Sequence, residues 1–165
     1  MLNIELGDIT RISTQAIVNS ANPSLLAGGG VCGAIHRIAG PQLELACRSI
    51  GTISAGEAVL TLAFDLPAEY VVHAVAPRFL DGTRHEAATL KQTYISICRI
   101  LAEKQIANVT LPSMGTGIYR FPLSLATVIA LETLNEHLPL SCEATIICFD
   151  QATLEAYQAA SMTQR

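Results

Sequence analysis

Short apolar runs that alternate with segments of helical periodicity constrain this chain more than any other feature it carries. The runs fall at residues 2–6, 16–19, 57–63, 70–75, 108–112 and 144–149 and are rich in Val, Ile, Leu and Thr, as buried strands are. Between them, Leu90, Tyr94, Ile97, Cys98 and Leu101 recur at i, i+4, i+7, i+8 and i+11, one face of an amphipathic helix. Ala126, Ile129, Ala130, Thr133 and Leu134 mark a second helix, closed by Pro139. Residues 33–50 predict a third, interrupted at Gly40-Pro41, and a last short helix follows Asp150, whose carboxylate suits an N-cap. Asp65-Leu66-Pro67 separates two runs with no room for a helix, so those two strands are expected to pair antiparallel. The expected fold class is α/β, a three-layer α/β/α sandwich around a mixed central sheet. A length of 165 residues without internal repeat, linker or low-complexity stretch fits a single domain over 1–165.

Composition narrows the function classes. Half of the residues are hydrophobic and 15% are charged, enough apolar side chain for a sizeable core and too little charge for a disordered chain. A formal charge of −4 argues against a nucleic-acid partner, whose binders carry a basic footprint. No stretch approaches the roughly 18 uninterrupted apolar residues of a membrane span, and the first residues lack a basic segment, so neither membrane insertion nor a signal peptide is expected. Cys32, Cys47, Cys98, Cys142 and Cys148 are odd in number, scattered and without CxxC spacing. They read as reduced thiols of a cytoplasmic protein, four of them buried as small hydrophobes.

Two loops are rich in glycine: Gly28-Gly29-Gly30-Val31-Cys32-Gly33, and Ser113-Met114-Gly115-Thr116-Gly117-Ile118-Tyr119. Each follows a strand candidate and leads to a helix. At the carboxyl edge of an α/β sheet, such loops bring unpaired amides close to a ligand, and a helix start adds a dipole that favours anions. A single loop of this kind is most often just a tight turn. Two of them facing each other would grip a diphosphate. Gly28, Gly30 and Gly33 also satisfy G-x-G-x-x-G, but residues 20–27 intervene after the strand and no acidic residue ends a second strand at the required distance. A dinucleotide fold is therefore rejected. Neither loop holds a Lys, which removes a triphosphatase, and His85-Glu86 lacks the second His of a zinc protease. No metal and no cofactor are expected.

The segments "GDIT" (7–10), "AIVNSAN" (16–22), "GGGVCGAIHRIAG" (28–40), "VVHAVAP" (71–77), "LPSMGTGIYRFP" (111–122) and "CFD" (148–150) together resemble the macrodomain family. The resemblance covers residues 1 to about 157, in family order, and is greatest to the MacroD-type subgroup that includes bacterial O-acetyl-ADP-ribose deacetylases. It implies ADP-ribose or O-acetyl-ADP-ribose as ligand, with ADP-ribosylated proteins as further partners. It further implies that Asp8 accepts from the adenine amino group and that the Ile9 amide meets the ring. A carboxylate would repel a carbonyl at that position, which selects adenine over guanine. Phe149 would pack on the adenosine face. Gly29, Gly30 and Val31, with Gly115, Thr116, Gly117, Ile118 and Tyr119, would wrap the diphosphate. Asn22, a catalytic candidate together with Cys32, would bond the distal ribose, and Asn19 would brace that loop. Each has a plainer alternative: Asp8 a turn residue, Phe149 core, and Asn22-Pro23 a favourable turn.

This chain departs from the family pattern twice. Hydrolytic members carry Asp after "GGGV", where it handles water near the distal ribose; here Cys32 stands there. A thiol is a poor acceptor and a poor base for water, so hydrolysis is expected to be weakened and a non-catalytic ADP-ribose reader is the alternative. A thiol nucleophile served by His36, one turn later, is a third possibility. The second departure is Arg120, where relatives often have Gly; if that residue has positive φ, Arg strains the loop. Arg78 and Arg84 read as solvated surface near the cleft.

Overall fold

The computed structural model describes residues 1–164. Six strands, β1 (Leu2–Leu6), β2 (Ala16–Ser20), β3 (Ala58–Leu62), β4 (Tyr70–Ala74), β5 (Asn108–Leu111) and β6 (Glu143–Cys148), form one sheet in the order β1-β6-β5-β2-β4-β3. All neighbours are parallel except β3, which runs antiparallel to β4. The short Asp65-Leu66-Pro67 connection allows nothing else.

Side chains alternate across the sheet, and both faces are covered. Ile17, Val71, Val75 and Ile147 face α1 (Gly30–Ala39) and α2 (Pro41–Ile50), meeting Ile35, Leu43 and Cys47. Val18, Val72, Val109, Leu111 and Ile146 face α3 (Glu86–Glu103), α4 (Leu123–His137) and α5 (Gln151–Thr163), meeting Leu90, Tyr94, Ala130 and Tyr157. Each fully buried Leu or Ile of this kind is worth about 1.5–3 kcal/mol against exposure. All five cysteines are free and buried, one more than expected.

Helix ends follow local chemistry. Asp150 caps α5, accepting from the Thr153 amide at 2.8 Å. Gly40, at φ +87°, ends α1, and Pro41 opens α2 directly after it. Strands β2 to β6 each shift by a residue at one or both ends, and two boundary differences bear on the site. α1 begins at Gly30 rather than residue 33, because the Gly33 amide bonds the Gly29 carbonyl at 3.2 Å and winds the glycines into the first turn. β6 stops at Cys148, which leaves Phe149 outside the sheet and 85% exposed.

The topology fixes where a ligand can enter. Adjacent strands β2 and β5 send their outgoing chains to opposite faces, β2 to α1 and β5 to α4. Their carboxyl ends therefore open a crevice, the usual ligand position of open α/β sheets.

Candidate functional site

That crevice is a cleft of about 220 Å³ walled by both glycine-rich turns. Gly28, Gly29, Gly30, Val31 and Cys32 form one wall, and Ser113, Gly115, Gly117, Ile118 and Tyr119 the other, with Ser20, Ala21 and Asn22 between them. Among the described residues, no protein acceptor takes the amides of Gly29, Gly30, Val31 and Cys32, nor those of Gly115, Thr116, Gly117, Ile118 and Tyr119. Runs of free amides on both sides, one at a helix N-terminus, have the geometry and the dipole that suit an anion.

Each turn is held from behind. On the first, Gly30 sits at φ +56°, a conformation that suits glycine, and a Cβ on Gly33 would lie 2.3 Å from the Gly28 carbonyl oxygen. Leu25, wholly buried at φ 62°, pins the preceding segment into the core under α1. On the second, the buried Tyr157 hydroxyl bonds Ser113 Oγ at 3.1 Å, and Thr116 Oγ1 donates to the same atom at 2.9 Å. Burial pushes the Tyr157 phenol up to about 12, so it stays a neutral hydrogen-bond partner. The loop before α3 supports the same turn: the Phe79 amide donates to the Tyr119 carbonyl at 2.8 Å. Glu86 organises that loop by accepting from the amides of Leu80, Asp81, Gly82 and Arg84.

Asp8 and Phe149 lie further along the same sheet edge. β1 and β6 pair through Leu6 and Cys148, and the Gly7 amide continues to the Cys148 carbonyl at 3.0 Å. Both residues thus emerge just past the last rungs, beyond β5. Asp8 Oδ1 accepts from the Thr10 hydroxyl at 2.6 Å and the Thr10 amide at 3.0 Å, and these bonds hold its carboxyl below the usual range. It is therefore a turn residue and also a half-exposed carboxylate, with Arg11 Nε 3.5 Å from its Oδ2. Among the described residues, none accepts the amide of the buried Ile9. Phe149 is not core, as its exposure shows.

Asn22 lines the cleft and braces its own turn: Nδ2 donates to the Leu26 carbonyl at 2.8 Å, and Oδ1 accepts from Ser24 at 2.5 Å. One N–H of its amide remains free. Cys32 is 5% exposed, and its Sγ donates to the Leu26 carbonyl at 3.6 Å while accepting from Asn19 Nδ2 at 3.8 Å. His36 does not serve it. No hydrogen bond joins the two, and His36 lines a separate depression with Arg37 and Glu44. Its ring nitrogens lack partners of good geometry, and burial lowers its basicity. The arrangement offers no nucleophile–base couple.

Three residues that matter here were missed from the sequence or read only as surface. Ser113 anchors the second turn. Arg78 places its guanidinium 5.2 Å from the Tyr119 ring centroid, a cation–π contact at the cleft wall. His73 lies wholly buried beneath the cleft floor, bonded to Asn19 and Thr61. A histidine in the otherwise apolar run "VVHAVA" was the signal.

Burial, then the neighbouring His36, depresses His73 to about 3. Its folded-state value lies below the ordinary one of about 6.5, so the fold excludes a proton that the unfolded chain takes up. Stability is complete above about pH 6.5 and falls as the pH drops towards 3, by up to about 1.4 kcal/mol per unit. Urea unfolding between pH 7.5 and 5 should show this loss, above the range in which carboxylates titrate; a flat profile would contradict the burial of a neutral imidazole.

Arg120 does adopt positive φ, at 58°. Left-handed backbone costs a non-glycine residue about 1 kcal/mol or more, partly offset because glycine loosens the unfolded chain. Arg120→Gly is expected to stabilise by about 0.5–1 kcal/mol, a rise of a few degrees in Tm on thermal melting. An unchanged or lower Tm would mean that the arginine makes a compensating contact.

Comparison with known proteins agrees with this geometry. The sequence model of the Macro domain family matches residues 18–130. The chain is 45% identical to an O-acetyl-ADP-ribose deacetylase of Enterobacter cloacae over 96% of its own length and 92% of that protein's. It superposes on the Oceanobacillus iheyensis macrodomain with ADP at a TM-score of 0.92 and 32% identity, covering 96% of this chain and 88% of that one. For the Trypanosoma brucei macrodomain in complex with ADP-ribose the TM-score is 0.88 at 33% identity, covering 97% and 68%. Sequence, fold and the paired glycine turns agree: the chain belongs to the macro domain family.

Proposed function

We propose that the cleft binds ADP-ribose and its derivatives and hydrolyses O-acetyl-ADP-ribose slowly. The observation that carries this is the set of unpaired amides on two facing turns, whose residues wall one cleft. They match the four non-bridging oxygens of a diphosphate, which share two negative charges, without any lysine. Asp8 and the Ile9 amide, further along the edge, take the adenine amino group and ring nitrogen, and the exposed Phe149 supplies a stacking face. The distal ribose then lies over Asn22 and Cys32.

In the reaction, water adds to the ester carbonyl, the bond to the ribose oxygen breaks, and acetate and ADP-ribose leave as products. The water's proton needs an acceptor. Cys32 is badly placed for that, since its S–H is already donated to the Leu26 carbonyl. Positioning, with the substrate's own phosphate as acceptor, supplies the remaining rate. The same bond favours a second reading, a reader of ADP-ribose on modified proteins with no useful turnover.

Calorimetric titration with ADP-ribose, run beside acetate release from O-acetyl-ADP-ribose, tests both. Binding with slow release supports the first reading; binding without release supports the second; absence of binding contradicts both.

A further inference from the structure

A chain of buried polar groups leads from strand β3 to the sulfur of Cys32. Thr61 Oγ1 lies 2.9 Å from the Leu62 carbonyl and 2.9 Å from His73 Nε2. His73 Nδ1 lies 3.1 Å from Asn19 Nδ2, which in turn lies 3.8 Å from Cys32 Sγ. Asn19 and His73 are rung partners on β2 and β4, both wholly buried, so neither can turn to water.

A neutral imidazole has one donor and one acceptor, and a hydroxyl has one proton. The Thr61 hydroxyl donates its one proton to the Leu62 carbonyl. Thr61 must then accept from His73, which puts the imidazole proton on Nε2 and leaves Nδ1 as an acceptor. Nδ1 in turn demands an N–H, so Asn19 presents its amide nitrogen rather than its oxygen. The second N–H of that amide is the one beside Cys32. The opposite polarity would rotate the Asn19 amide and put its oxygen against the sulfur.

We infer that Thr61 and His73 are positioning residues that act through Asn19, fixing its amide so that an N–H points at the side chain of residue 32. This rests on Cys32 belonging to the site, but its test does not depend on any ligand. The role would fall to the same N–H whether residue 32 carries a thiol or a carboxylate, and in either case the donor favours the anion. Cys47 Sγ, 3.7 Å from His73 Nε2, is the weaker competitor for that proton.

Two measurements decide it. Long-range nitrogen–proton NMR of the free protein should show His73 with its proton on Nε2 at pH 7. Alkylation of Cys32 by iodoacetamide, followed by peptide mapping, should slow about threefold or more in Thr61→Val and return to the wild-type rate in Thr61→Ser. A proton on Nδ1 in the wild type would overturn the inference even if the valine variant fails to fold. So would an alkylation rate in folded Thr61→Val within experimental error of wild type, or a serine variant as slow as the valine one.

Discussion

Cys32→Asp is expected to raise the rate of acetate release from O-acetyl-ADP-ribose by about 10²–10⁴-fold at saturating substrate, the usual worth of a general acid or base. The fold is prepared for a carboxylate there. Residue 32 sits in the first turn of α1, where the helix dipole favours negative charge. The Asn19 amide already points an N–H at it, a donor that a buried carboxylate requires. The affinity for ADP-ribose should change far less, because the turn amides and Asp8 are untouched. Initial rates of wild type and variant, measured with the ADP-ribose affinity of each, provide the check. Retained binding with no gain in rate would show that the residue after "GGGV" does not limit turnover in this chain.

Gly33→Ala should have the largest effect on binding. An added Cβ would lie 2.3 Å from the Gly28 carbonyl oxygen, backbone that cannot swing aside as a side chain can. The segment must move by roughly an ångström to restore contact distance, which displaces the amides of the first turn from any diphosphate they grip. Each amide–phosphate bond lost costs about 1.5–3 kcal/mol, roughly 10–100-fold in affinity, and the overpacking itself destabilises by about 1–3 kcal/mol. Gly29→Ala is the matched control for folding. A Cβ there meets nothing within 4 Å and its φ is −86°, so folding should be unaffected. Urea unfolding and ADP-ribose titration of both variants check the pair. If Gly33→Ala binds as the wild type does, the first turn does not hold the ligand.

Period and punctuation made most of the fold legible. Strand runs rich in branched residues, the Leu90–Leu101 stripe and the short 65–67 connection led to the right elements and to the one antiparallel pair. Boundaries failed where backbone, not side chain, decides. The start of α1 hangs on a Gly33–Gly29 hydrogen bond that no periodicity records, and β6 ends where β1 ends. In the site, the glycine turns could be read because their composition is itself the device. The support behind them could not. Tyr157 reaches Ser113 across 44 positions of sequence, and His73 reaches Asn19 across 54. Such contacts follow from sheet order and register. Cys32 and His36, one turn apart, suggested a couple that the fold does not make, since α1 points them at different surroundings.

The account rests on main-chain amides of two turns closing on one diphosphate. Amide chemical shifts followed during titration with ADP-ribose test this residue by residue. Large, saturable changes are predicted at Gly29, Gly30, Val31 and Cys32 together with Gly115, Thr116, Gly117, Ile118 and Tyr119, with Ile9 moving as the adenine seats. Saturation that leaves either turn unmoved, or changes confined to another face of the sheet, would contradict it.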